Sequence, residues 1–255
     1  MKDAFKKMTL PPVTGETSSA GCLKSNYLIG LAMLYMMFPM ASGLLVYKIV
    51  AIGIFLAPAG IFINPIVYCL SNVTTEVYGY EIARNMMWWF VLASVTFVAI
   101  SSLLIQLPSP ESFTNQAAYD LILGSMPRVC IAGILGTVIS LSFNNYFLSK
   151  LKIKLQGKAY WLRSILSTSP GEIIYNLIAY PIMFLGTMPF KSLVYIFLSV
   201  SCFKICMTFV FTPAEWLLAN FLKKKERVNT FDYDVDYSIF RFKISKPKPE
   251  LKVVL

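Results

Sequence analysis

The sequence predicts an all-α integral membrane protein with six transmembrane helices and both termini in the cytoplasm. Three observations carry this. The chain is 56% hydrophobic and only 14% charged, against about 25% charged in an ordinary soluble domain, and its mean hydropathy is +0.63. Its apolar residues fall in blocks of the length needed to cross roughly 30 Å of hydrocarbon, about 20 helical residues each. Its lysines and arginines gather in alternate connections between those blocks.

The first 25 residues are polar, and the apolar run begins only near Tyr27. That is too far behind the basic start for a cleaved signal peptide, so 26–47 is expected as a retained first span. Spans two to six are expected at 49–71, 86–107, 127–149, 168–190 and 192–222, the last long enough for a tilted helix. Lys2, Lys6, Lys7 and Lys24 precede span one, Arg84 follows span two, and Lys150, Lys152, Lys154, Lys158 and Arg163 follow span four. Lys223, Lys224 and Lys225 open the C-terminal tail, whereas the intervening connections hold only Lys48, Arg128 and Lys191. This positive-inside pattern places the tails 1–25 and 223–255 in the cytoplasm on either side of a membrane domain, 26–222. The connection 108–126, with Pro108 and Pro110, reads as an external loop, and Trp88, Trp89 and Trp161 sit where interfacial aromatics belong. The net charge of +10 then reflects topology and attraction to anionic membrane lipids. Nucleic acid is not an expected partner, because the basic residues are divided among separate cytoplasmic segments.

The chain contains no histidine, which removes imidazole proton relays, His-based metal sites and Ser-His or Cys-His nucleophiles. No GxxxxGK[ST] loop is present to hold ATP. Cys202 and Cys206 share a helix face but have no companion ligand, so they read as packing residues. We therefore expect no enzyme, no cofactor and no metal.

Three spans are not plain lipid anchors. Span two carries Pro58, Gly60 and Pro65, span five carries Pro170, Gly171 and Pro181, and span six carries Pro213. A proline removes a backbone donor and crowds the preceding turn, so these helices are expected to kink or open. Spans two and five occupy corresponding places in a three-plus-three division, and paired interruptions of that kind point to a transport site. Lys204 lies deep in span six, where an ionised residue costs roughly 2.5–3.5 kcal/mol on insertion scales. It should face the bundle interior and have an acidic partner. Glu172 and Glu215 are the candidates, with Glu215 reading as an interfacial residue near the cytoplasmic end. Asn64, Asn72, Asn144 and Asn145 can bond across helices or read a polar ligand.

Between spans two and three stands TEVYGYEIAR, 75–84. As an interfacial turn it accounts for Gly79, the tyrosines and Arg84, but Glu76 close behind an apolar span needs a partner or water. The longer run PIVYCLSNVTTEVYGYEIAR resembles the signature of the queuosine precursor transporters, also grouped as vitamin uptake transporters. Lys48, the stretch from Asn144 through the basic loop and Arg163 to Glu172, Lys204 with Pro213, and the tail FDYDVDYSIF extend the likeness in order along the chain. Two departures stand out: Asn72 and Tyr175 occupy positions where the family has aspartates.

The resemblance implies import of a 7-deazaguanine base for tRNA queuosine salvage, by a multi-pass protein of the inner (cytoplasmic) membrane. It implies a substrate site drawn from Asn72, Glu76, Tyr78, Asn144, Arg163, Glu172 and Lys204, with Tyr68 as a further stacking face. A membrane subunit that binds another vitamin or nucleobase and works with an energising partner is the alternative, and a membrane assembly protein a third. Oligomeric state stays open, a homo-oligomer included.

Overall fold

The computed structural model describes residues 26–240 except Ile54, Glu111 and Asp234, and omits the side chains of Ile52 and Phe55. The tail 1–25 and the end of the C-terminal tail lie outside the described residues. Along the described chain run α1 (Asn26–Leu44), β1 (Ile49–Ile52), β2 (Phe55–Pro58), a 3₁₀ turn (Ala59–Phe62), α2 (Asn64–Tyr78), α3 (Tyr80–Leu104), α4 (Gln116–Leu123), α5 (Met126–Lys154), α6 (Tyr160–Phe184) and α7 (Phe190–Glu226). The protein is mostly helical. Among the described residues four segments are long and apolar enough to cross a membrane: Asn26–Leu44, Tyr80–Leu104, Gln116–Lys154 and Phe190–Glu226.

The expected second span is not one helix. Residues 49–58 form an antiparallel hairpin with Ile49 opposite Pro58 and Ile52 opposite Phe55. The helix begins only at Asn64, with Pro65 in its first turn. The physical reason is local. The run IVAIGIF is rich in β-branched residues that suit a strand. Pro65 is tolerated at a helix start, where its missing N–H would be unbonded anyway, but not in an interior. The expected fifth span differs in the other direction: α6 runs unbroken through Pro170 and Pro181. The interruption therefore falls on one side of the three-plus-three division and not on both.

The bundle buries polar and charged residues within an apolar core and turns apolar side chains outward. Asn72, Glu76, Asn144, Lys152, Arg163, Glu172, Asn176, Lys204 and Glu215 are all buried, while Met33, Leu92, Leu103, Leu177 and Val210 are exposed. That arrangement suits a lipid surround, where the outer face meets hydrocarbon and polar groups must find partners within.

Two glycines set close approaches. A Cβ on Gly60 would stand 2.6 Å from the Ser42 carbonyl oxygen, so only glycine lets the 3₁₀ turn press on the end of α1. Ser42 Oγ seals that contact by donating to the Gly60 carbonyl at 3.1 Å and to Asn64 Oδ1 at 3.0 Å. Gly79 separates α2 from α3 with φ +92° and ψ 170°, a backbone region essentially confined to glycine. A Cβ there would also lie 2.7 Å from Asp232 Oδ1. Gly79→Ala is expected to destabilise the protein by about 1–3 kcal/mol, read as a lowered thermal midpoint in detergent. An unchanged midpoint would contradict the assigned backbone geometry.

Candidate functional site

The buried polar residues form a column with three levels. At the first, Lys204 on α7 donates to Glu172 Oε2 at 2.7 Å and to Asn176 Oδ1 at 2.9 Å, both on α6. Asn176 is held in turn by Ser201 on α7 at 3.0 Å. The Lys204 ammonium also lies 4.6 Å from the centroid of the Tyr175 ring. Tyr175 thus sets a cation–π face against Lys204 at a position where the resemblance would place an acid.

At the second level Asn72 on α2 is the hub. Its amide donates to Thr168 Oγ1 at 2.9 Å and to Glu215 Oε1 at 3.3 Å, and its carbonyl accepts from Asn144 Nδ2 at 2.7 Å. Thr168 closes the ring by donating to Asn144 Oδ1 at 3.2 Å. Glu215 also accepts from Ser164 at 2.5 Å and from Tyr160 at 3.3 Å. The interfacial reading of Glu215 is corrected here: the residue is 2% exposed, and among the described residues its carboxyl is in no ion pair. Its position near the end of a long apolar run misled, because α7 continues to Glu226 and keeps Glu215 well inside the helix. Asn72 suits this neighbourhood, since its amide donates to Glu215 where an aspartate would repel it.

At the third level Glu76 gathers three cations. Arg163 grips it with two hydrogen bonds, of 2.7 Å to Oε2 and 3.2 Å to Oε1. Lys223 reaches Oε1 at 2.6 Å, and Lys152 lies 3.9 Å from the same oxygen. Tyr78 donates to Glu226 at 2.5 Å. The two-pronged guanidinium contact is the strong, directional form of ion pairing. The stretch 75–84, which joins α2 to α3, therefore serves as more than an interfacial turn: Glu76, in the last turn of α2, is the anchor of this level.

The residues after α7 fold back over that end of the bundle. Thr230 N–H donates to the Val77 carbonyl at 3.2 Å, and Lys152 Nζ bridges the carbonyls of Glu76 at 2.5 Å and Thr230 at 2.6 Å. Asp232 accepts the Tyr80 N–H at the start of α3, at 3.1 Å, and the Ser149 hydroxyl at 2.6 Å. Burial pushes the Asp232 carboxyl above its usual range, against these donors. Arg84 donates to the carbonyls of Asp236 and Ser238, and Trp88 to that of Ile239. No sequence signal in the tail indicated these contacts beyond the acids of FDYDVDYSIF.

A cavity of about 100 Å³ lies at the other end of the column. Its wall includes Val46 after α1, Pro58, Met126 at the start of α5 and Met183 near the end of α6. These are the helix ends opposite those that carry Glu76, Lys152, Arg163 and Lys223. Of the residues singled out from sequence, Pro58, Gly60, Asn64, Tyr68, Tyr175 and Lys204 stand on its wall. Glu172 sits behind Lys204, and Asn72, Asn144, Glu76, Arg163 and Tyr78 lie further along the column.

The profile of a family described as "Putative vitamin uptake transporter" matches residues 58–218. The chain belongs to the vitamin uptake transporter family. The match spans the 3₁₀ turn, α2 to α6 and most of α7, and so takes in the first two levels of the column entire. The chain is also 26% identical, over 164 residues, to a "Probable queuosine precursor transporter" of Bacillus subtilis (strain 168), an overlap of 63% of this chain and 71% of that one. No solved structure matches the chain. As a vitamin uptake transporter the protein is a multi-pass membrane transporter, and the column and cavity are its candidate translocation route.

Proposed function

We propose that this transporter imports a queuosine precursor, a 7-deazaguanine base, across the inner (cytoplasmic) membrane to supply tRNA queuosine salvage. The reading crosses the membrane six times with both termini cytoplasmic, as the lysine and arginine distribution favours. The cavity then lies in the external half, and the Glu76 cluster with its overlying tail closes the cytoplasmic half. The observation that carries the proposal is the Glu172–Lys204 pair, buried at 2.7 Å with Lys204 on the cavity wall, in a chain of the vitamin uptake transporter family.

The chemistry is that of alternating access. In the empty protein each acid must stay neutralised, since an unpaired buried charge is costly. Glu172 is held by Lys204, and Glu76 by Arg163, Lys152 and Lys223. Ligand binding at the cavity draws on Lys204 and its neighbours. Passage inward requires the amides of Asn72 and Asn144 to exchange their mutual bonds for bonds to the base edge, and the Glu76–Arg163 clamp and Tyr78 to part. A ligand shifts such an equilibrium only by binding one arrangement more tightly than the other.

The test is rescue of queuosine-modified tRNA in cells lacking their own importer and fed limiting 7-deazaguanine precursor. Expression of this chain is expected to restore modified tRNA. Failure to restore it, with the protein present in the membrane, would exclude the substrate.

A further inference from the structure

We infer that the ligand chamber is this cavity, that it admits an uncharged planar heteroaromatic base, and that Tyr35 of α1 holds the base through its phenol hydroxyl. The inference deepens the transport reading and rests on it.

Tyr35 is 1% exposed, and its hydroxyl is buried with no hydrogen-bond partner among the described residues. It stands on the cavity wall. Its ring packs edge-on against Phe90 with centroids 6.1 Å apart, so the hydroxyl is held in place. Three other interior tyrosines are bonded: Tyr68 to Ser140, Tyr160 to Glu215 and Tyr80 to the Tyr237 carbonyl. Buried hydroxyls in proteins nearly always have partners, and a phenylalanine would fill the same space without an unmet group. A partner from outside the chain, entering the cavity, completes Tyr35. The hydroxyl both donates and accepts, so it can meet a ring N–H, a ring nitrogen or a carbonyl on a base edge.

The wall fixes the ligand class. Tyr68, Phe90, Tyr175 and Tyr180 supply ring faces and edges. Among the described residues Lys204 is the one charged side chain on the wall, and Glu172 already neutralises it at 2.7 Å. No unpaired cation remains there for a phosphate or carboxylate, which would lose water without compensation. The cavity, about 100 Å³, is smaller than the roughly 300–1,000 Å³ of sites for drug-sized ligands, which favours a bare base over a nucleotide. Tyr35 also lies outside the stretch 58–218 that matches the family, so α1 contributes a contact that the matched region does not.

The experiment uses the full chain in liposomes, with labelled 7-deazaguanine as the probe and guanine and guanosine monophosphate as competitors. Tyr35→Phe is expected to raise KM about tenfold, the loss of one well-placed hydrogen bond, with Vmax within about twofold. The ligand-free thermal midpoint should stay the same or rise, because the variant removes an unmet hydroxyl. Tyr119→Phe, an exposed position on α4, should behave as wild type. Guanine should compete and guanosine monophosphate should not. A wild-type KM in Tyr35→Phe, or a lowered ligand-free midpoint, would overturn the role of Tyr35. Competition by the monophosphate would overturn the uncharged ligand class. Absence of uptake by the wild-type protein would instead sink the transport reading and take this inference with it.

Discussion

Lys204→Met is expected to abolish uptake and to lower stability by about 3–5 kcal/mol, the cost of breaking a buried ion pair from one side. The lysine and Glu172 are 0% and 1% exposed, so the substitution leaves a carboxylate in the bundle interior with no water to replace the ammonium. Asn176 would lose its bond from Lys204 as well, and Tyr175 its cation. The size of the penalty belongs to the stranded acid and not to the pair itself. Lys204→Met combined with Glu172→Gln should therefore recover most of the lost thermal midpoint. Uptake should stay absent in the double variant, because the ion pair that adjoins the cavity is gone. Thermal unfolding in detergent and uptake into liposomes separate the two effects. A double variant that transports normally would show the pair to be structural only, and a single variant with an unshifted midpoint would contradict the buried geometry.

Glu76→Gln is expected to have a comparable effect for the opposite reason. Here one acid neutralises several cations: Arg163, 0% exposed, Lys152, 1% exposed, and the partly buried Lys223. A neutral amide keeps a hydrogen-bonding oxygen for Arg163 but removes the only charge that offsets their mutual repulsion among the described ion pairs. At short range in a poorly solvated interior such repulsion is worth several kcal/mol, so loss of about 3–5 kcal/mol and of uptake is expected. Lys223→Met added to Glu76→Gln should restore part of the stability by removing one of the like charges. The thermal midpoints of the four-membered cycle give the coupling directly. If Glu76→Gln retained both its midpoint and full uptake, the clamp around Glu76 would have no part in the transport cycle.

The buried acids differ in how visible they were. Lys204 and Glu172 announce themselves because a charge inside an apolar run is expensive wherever it stands, and that cost is a property of the local sequence. Glu76 was legible for the same reason. Glu215 was not, because its depth depends on where α7 ends, and the helix runs on through Lys223–Lys225 to Glu226. Its partner Asn72 read as an amide at the end of a span, with no sign that it would join Asn144, Thr168 and Glu215 in one ring. Tyr35 carried no signal at all, being one aromatic among many in an apolar span.

By itself the sequence determined the membrane character, the run of apolar segments and the need for every interior charge to find a partner. These follow from the energetics of moving residues out of water, which each segment settles alone. Tertiary structure decided which charges meet, because partner choice depends on how helices rotate and pack across 28 to 147 residues of chain separation. It also decided that 49–58 turns back as a hairpin while α6 passes through two prolines. A proline sets a local preference, but whether the freed carbonyls are met within the bundle is settled only by the neighbours that surround them.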